Sequence, residues 1–235
     1  MAKVEELERD IISCSHCGST VRRRAIVQIL SIELFGQSLA LPDFPVRRDL
    51  RGLGMSDWDG YAIPLAAKFD YENTYHHREP RLDITHIDAD REGQFDFIIS
   101  TDVFEHVPPP ISRAFDNICK LLKPSGVLIF SVPYTLNDLT IEHFPELYDY
   151  QLMELDGRYV LRNVTRDGAV QVFEDLVFHE GPGTTLEMRL FSERSLIKEF
   201  EQAGLGKLKI HKVPYFEFGI YSPYDWSLPM SVRKP

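Results

Sequence analysis

The chain has 235 residues, 43% of them hydrophobic and 26% charged, and a formal net charge of −10. These totals fit a globular protein of one large domain, or a domain with a small extension, and exclude a disordered or low-complexity chain. The acidic balance repels a phosphate backbone, no apolar run nears the roughly 18 residues that span a bilayer, and the charged start at residues 1–10 lacks a signal-peptide core, so the expectation is a cytoplasmic, unprocessed protein with no nucleic-acid or membrane partner.

Residues 1–45 read as an N-terminal appendage. Cys14-Ser-His-Cys17 leads into a helix over Val21–Phe35, with Ala25, Ile26, Ile29, Leu30, Ile32 and Leu34 apolar, and Gly36 suited to end it. The three cysteines make no disulfide framework. Arg22-Arg23-Arg24 is the one dense basic patch, read as solvated surface or a site for a small anion. Residues 41–45, Leu-Pro-Asp-Phe-Pro, read as an extended linker.

From residue 46 onward strands alternate with helices. Strands are expected over 46–53, 71–75, 82–84, 95–100, 127–132, 204–213 and 226–232, and helices over 61–69, 111–122 and 192–203. Ser56 and Asp57 are residue types that cap the helix after the first strand, and Ser192 caps the last helix. The runs 95–100 and 127–132 are apolar enough to be buried on both faces, as in a parallel sheet. Residues 135–186 break the rhythm: alternating stretches over Arg158–Val164 and 169–178 flank Arg166-Asp-Gly168, a hairpin turn. The expected fold is therefore α/β, a Rossmann-like, doubly wound, mostly parallel sheet of seven strands. It carries an antiparallel β insertion over the sheet's C-terminal edge, where such sheets bind ligands.

The richest stretch runs from Asp83 to Tyr134. It holds Asp83-Ile84-Thr85, then Phe95-Asp96, Ser100-Thr101-Asp102, Glu105-His106, Leu121-Leu-Lys-Pro-Ser-Gly126 and Val132-Pro133. In that order these residues resemble the class I S-adenosylmethionine-dependent methyltransferases. A bacterial subset is similar in more detail: it has a Cys-x-x-Cys-Gly-Ser knuckle followed by arginines and a helix, lacks the full glycine motif, and places Asp-Ile-Thr before Phe-Asp. Cys14 to Ser19, Arg22 to Arg24 and Asp83 to Thr85 match it.

The resemblance implies S-adenosylmethionine as cofactor. Asp83 would accept from the adenine amino group, with Ile84 beside it, although a turn or cap role for Asp83 stays open. Gly52 and Gly54, with Ser56, would form the cofactor loop in place of three glycines. Tyr75 or His76 occupies the place of the usual ribose-binding acid, with Glu79 nearby. Ser100, Thr101 and Asp102 would run along the methionine portion. Glu105 and Tyr134 are candidate acceptor-binding residues. His106, His143 and His179 are candidate bases, because histidine titrates near neutrality; a packing or capping role is the plain alternative for each.

Cys14 and Cys17 supply two of the four ligands a structural zinc needs, so no metal is expected and a remnant turn is preferred. The expected activity is methyl transfer to an oxygen or nitrogen of a small molecule such as a sugar or secondary metabolite. The alternatives are a protein on this fold that binds without catalysis, or one that runs another reaction. The apolar residues of the first helix leave a homodimer open.

Overall fold

A computed structural model describes residues 7–179 and 181–235; residues 1–6, at the charged start, and Glu180, in the glycine-rich turn after His179, lie outside the described residues. The first half consists of α1 (Val21–Phe35), β1 (Arg47–Met55), α2 (Asp59–Lys68), β2 (Phe69–Thr74), β3 (Phe95–Thr101), α3 (Ser112–Leu121) and β4 (Leu122–Ser131). The second half opens with the short strands β5 (Tyr134–Thr135) and β6 (Ile141–Glu142). It continues through β7 (Asp149–Leu155), β8 (Arg158–Val164), β9 (Val170–Phe173), β10 (Phe178–His179), β11 (Thr185–Leu186) and β12 (Arg189–Ser192). It ends with α4 (Glu193–Gln202), β13 (Lys209–Ile210) and β14 (Met230–Arg233).

The two apolar runs form adjacent parallel strands, Phe97 to Thr101 on β3 pairing with Val127 to Ser131 on β4. Side chains alternate across a strand, so each strand feeds two layers. Phe97, Ile99, Val127 and Ile129 pack with Ile26, Ile29 and Leu30 of α1 and with Tyr61 and Leu65 of α2. Ile98, Leu128 and Phe130 pack on the other face with Phe115 and Ile118 of α3 and Leu196 and Phe200 of α4. Helices on both faces of a mostly parallel sheet make the Rossmann-like, doubly wound fold that the strand and helix rhythm implies.

The sheet order is β13-β14-β4-β3-β1-β2, six strands among the described residues, with β14 antiparallel to both its neighbours. The seventh strand, expected at 82–84, is not formed. Asp83 accepts from the Thr85 N–H at 2.9 Å and from its hydroxyl at 2.7 Å, a local turn that competes with strand pairing. Only isolated bridges, Tyr75 with Arg81 and Asp83 with His86, remain there.

The N-terminal stretch takes part in the main core. Thr20 caps α1 by accepting from the Arg23 N–H, and Gly36 ends the helix at φ 70°. The buried face of α1 lies on the sheet, and Phe44, placed in sequence on a linker, is 2% exposed and wedged between Phe35 and Phe69. An aromatic ring buries more apolar area than extended backbone gains by staying in solvent.

The insertion has a small core of its own, built from Phe144, Leu161, Leu186 and Met188. Strands β7, β8 and β9 form an antiparallel meander. The turn at Asp167-Gly168 joins β8 to β9 as expected, whereas the stretch 169–178 divides into β9 and β10. Strand β7 was not anticipated; its turn, Asp156-Gly157, has φ of 51° and 76°, as a two-residue hairpin requires. Among the described residues no helix is long and apolar enough to cross a membrane.

Gly52 sits inside β1, where a Cβ would fall 2.1 Å from the Phe97 ring. Gly52→Ala is expected to destabilise the fold by roughly 1–3 kcal/mol through overpacking, read as a lower urea midpoint at unchanged slope; an unshifted midpoint would show that the sheet relaxes around the methyl group.

Candidate functional site

Strand order reverses beside β1, whose neighbours are β2 and β3, and in open α/β sheets the crevice at such a point is where ligands bind. A cavity of about 790 Å³ opens there, within the ~300–1,000 Å³ usual for small-molecule sites. Its floor is made by the turns after β1, β2 and β3, and its roof by the insertion.

The turn after β1 is held without glycine. Ser56 takes φ 57°, a left-handed conformation that costs a non-glycine residue some strain. Asp57, 4% exposed, accepts from the Tyr61 hydroxyl at 2.7 Å and from the Tyr71 hydroxyl. Asn73 closes the turn, accepting from the Asp57 N–H and donating to the Asp57 carbonyl, both at 2.9 Å. Asp57 is thus a buried anchor rather than the expected helix cap; Trp58 stands at the cap position with no side-chain bond. Burial pushes the Asp57 carboxyl up to about 7, against the opposing pull of its two tyrosine hydrogen bonds.

This anchor explains why the glycine pair does not meet the cavity. A Cβ on Gly54 would lie 2.1 Å from the Tyr71 oxygen and 2.5 Å from Asp57 Oδ2. Gly52 and Gly54 make room for Phe97, Tyr71 and Asp57 within the sheet, and from this turn Met55, Ser56 and Trp58 line the cavity instead.

Asp83 uses Oδ1 for Thr85, while Oδ2 makes no hydrogen bond among the described residues and has His86 at 3.7 Å. Burial raises the Asp83 carboxyl and the Thr85 hydrogen bonds outweigh it, so it stays below its ordinary range and ionised. Leu82 and Ile84 supply buried apolar wall on either side, and Tyr150 of β7 reaches over from the insertion. A free carboxylate oxygen between apolar side chains fits a flat heteroaromatic ring bearing an amino group. Tyr75 lines the next wall, its hydroxyl accepting from Asn73 Nδ2 at 3.0 Å and its ring covered by Arg78 at 3.7 Å. The hydroxyl of Thr74 is committed to the Gly54 carbonyl at 2.7 Å.

After β3, Thr101 and Asp102 face the cavity, with Asp102 at φ 53°. Arg9 binds the Asp102 carboxylate with both terminal nitrogens, at 2.9 and 2.6 Å, and Ser131 adds a bond at 3.1 Å. Burial would raise the Asp102 carboxyl; the charge and hydrogen bonds of Arg9, with Arg22 behind, hold it below its ordinary range. Ser100 lies one residue earlier, fully buried inside β3 and away from the cavity wall.

The short turn Phe104–His106 carries the Glu-His pair and is clamped by the returning insertion strand. Met188 N–H donates to the Glu105 carbonyl at 2.7 Å. Arg189, 0% exposed, donates to the Phe104 and Val107 carbonyls at 2.9 and 2.6 Å and pairs with Glu142 at 2.8 Å. His106 Nδ1 lies 3.0 Å from the Leu186 carbonyl. A carbonyl only accepts, so Nδ1 carries the proton and Nε2 the lone pair. Burial holds the imidazole below its ordinary range, hence neutral. Its Nε2 is turned inward, 3.8 Å from Glu105 Oε1, with no hydrogen-bond partner among the described residues. Glu105 is 1% exposed; burial, then the charge of Asp102, pushes its carboxyl well above the usual range. It stands behind the wall rather than on it.

His179 lines the cavity from β10, its ring 5.3 Å from that of His106. His143 is bound to Glu187 at 3.0 Å outside the cavity, and Tyr134 is 1% exposed in the main core. The structure therefore gathers Ser56, Tyr75, Asp83, Ile84, Thr101, Asp102, His106 and His179 at one cavity. It leaves Gly52, Gly54, Ser100, Glu105, Tyr134 and His143 off its wall. Sequence reading missed Trp58 and Tyr150 as wall residues, and left Arg22 and Arg23, which also line the cavity, as solvated surface or a small-anion site. Among the described residues no group of three or more histidines, cysteines or acids is arranged to hold a metal, and Cys17 bonds to Ser19.

A family model described as a methyltransferase domain matches residues 55–210, more than half of the chain. None of the curated proteins matches the chain in sequence. Among solved structures, a sugar N-methyltransferase from Streptoalloteichus sp is similar over 93% of this chain and 90% of its own, at 13% identity and a TM-score of 0.50. An amino pentose methyltransferase from Micromonospora echinaspora is similar over 93% of each chain, at 14% identity and a TM-score of 0.49. Likeness at this identity is one of fold.

The fold favours the protonated form of Asp57, so its contribution to stability is full below the unfolded value of about 3.9 and is lost as pH rises through about 7. Asp57→Asn is expected to flatten that dependence. Denaturation at several pH values should find the native protein losing stability relative to the variant across this window, on the order of a few kcal/mol; parallel profiles would mean that Asp57 is ionised when buried.

Proposed function

The chain belongs to the methyltransferase-domain family, and on that footing we propose that it moves the methyl group of S-adenosylmethionine to an oxygen or nitrogen of a small molecule. The observation that carries the donor assignment is Asp83, with an uncommitted carboxylate oxygen between Leu82 and Ile84 at the cavity edge. There it accepts from the adenine amino group. Tyr75 lies along the ribose, and Ser56, Thr101 and Asp102 along the amino-acid end.

When bound, the sulfonium supplies an already activated methyl group, so the protein's work is to position the acceptor in line and keep water out. The insertion does both from above. Tyr150 and the Thr184–Leu186 stretch close the roof, and the small core beneath them holds that roof as a packed unit. His179 is the proton acceptor within reach of the cavity. His106, with Nε2 turned inward, supports it from one side and holds the insertion through Leu186. A net charge of −10 argues for a small acceptor rather than a polynucleotide. A sugar or secondary metabolite bearing a hydroxyl or amine fits the space.

Calorimetric titration with S-adenosylmethionine and S-adenosylhomocysteine tests the donor. Both are expected to bind, and Asp83→Ala to weaken them by about tenfold or more, as loss of a hydrogen bond to a charged group does. Failure of either ligand to bind at millimolar concentration sinks the donor assignment.

With a panel of hydroxyl- and amine-bearing small molecules, release of S-adenosylhomocysteine measures turnover. His179→Ala is expected to lower kcat by ~100-fold, the lower end for a general base, at unchanged donor affinity. Undiminished turnover removes His179 from that role.

A further inference from the structure

A turn that follows β1 can hold an anion with its backbone N–H groups, but here those of Ser56 and Asp57 are spent. Ser56 N–H donates to the Thr74 carbonyl at 2.7 Å, and Asp57 N–H to Asn73 Oδ1 at 2.9 Å. Across the cavity, Asp102 N–H donates to the Ser131 carbonyl at 2.8 Å. The amino-acid end of the donor proposed above carries a carboxylate, which needs donors from elsewhere.

Three arginines converge on this end of the cavity, and two are committed. Arg9 is bound to Asp102 and Asp10. Arg22 is bound to Asp10 at 2.6 Å, with Asp102 at 3.4 Å. Arg23 lines the same cavity, and among the described residues no carboxylate comes within 4.0 Å of it. Its guanidinium carbon lies over the Trp58 ring, 4.3 Å from the centroid, and among the described residues its side-chain N–H groups make no hydrogen bond. Burial and the neighbouring charge of Arg22 hold this guanidinium below its ordinary range, as befits a cation short of a counter-ion.

We propose that Arg23, stacked on Trp58 and reaching into the cavity from α1, binds the carboxylate of the methyl donor in place of the Ser56 and Asp57 amides. This rests on the donor reading above and names the group that holds one end of that donor. It also gives the missing glycines a physical counterpart. A fork of two N–H groups meets a carboxylate with two parallel bonds, and it needs no close approach of backbone.

The test is calorimetric titration of the native protein and of Arg23→Gln with two probes, S-adenosylhomocysteine and its decarboxylated analogue. Glutamine keeps a stem over Trp58 and removes the charge. The variant is expected to lose about tenfold or more in affinity for S-adenosylhomocysteine, and to bind the analogue within about threefold of the native protein. Arg23→Lys should recover part of the loss, since the charge returns without the fork.

Equal affinity of native protein and Arg23→Gln for S-adenosylhomocysteine overturns the assignment and leaves the donor reading intact. So does an equal loss for both probes, which would trace to the Trp58 contact alone. Native protein that binds neither probe overturns both readings together. Should Arg23→Gln fail to fold, Arg23→Lys with the same two probes decides: a loss confined to the carboxylated probe supports the proposal, and no difference between the probes overturns it.

Discussion

The site depends on how one buried carboxylate is held. Asp57 sits directly after β1, tied to Tyr61 on α2, to Tyr71 on β2 and to Asn73 two residues further on. Three elements that form one wall of the cavity are therefore fastened at a single point. The fastening takes the place of a glycine-rich turn. In a glycine turn the backbone is free to approach a ligand; here the Asn73 side chain and the Thr74 carbonyl occupy the Asp57 and Ser56 amides. Gly54 persists beneath because the Tyr71 hydroxyl and the carboxylate need the space of its missing side chain. The strain at Ser56 is borne because its own N–H and the backbone groups of Asp57 are bonded.

The opposite wall follows a different rule. Residues 104–107 form a short turn that could not hold its own shape, and the returning insertion strand holds it. Arg189 caps its carbonyls from inside the protein, and Met188 and Leu186 bind it from above. The roof and the wall are thus one unit. A buried guanidinium with three charge-assisted or carbonyl bonds is costly to place and costly to disturb, which favours one geometry for the Glu-His pair over neighbouring ones. The imidazole tautomer is a result of that geometry rather than a property of histidine.

The N-terminal stretch completes the site. Arg9 neutralises Asp102, and α1 carries Arg22 and Arg23 to the cavity while burying its other face on the sheet. A helix that reads in sequence as an add-on supplies both core and cations. Its extent was plain, because its apolar spacing and a terminating glycine at Gly36 mark a helix. Its partner was not, because an apolar stripe says that a face is covered and not by what.

The amino-acid sequence by itself determined the layered α/β architecture, since two strands buried on both faces and helices of one apolar stripe leave few other ways to pack. It also named Asp83 and His106 as candidates for one site, and both line the cavity. The tertiary structure alone decided what each polar group is free to do. Asp57 and Asp102 look alike as acids after strands, yet one is bonded by tyrosines inside the sheet and the other is paired with an arginine 93 residues away. The inward Nε2 of His106 and the withdrawal of His143 and Tyr134 from the cavity have the same origin. Each turns on which partner a side chain finds across the fold, and hydrogen bonds between residues far apart in the chain leave no periodic trace in it.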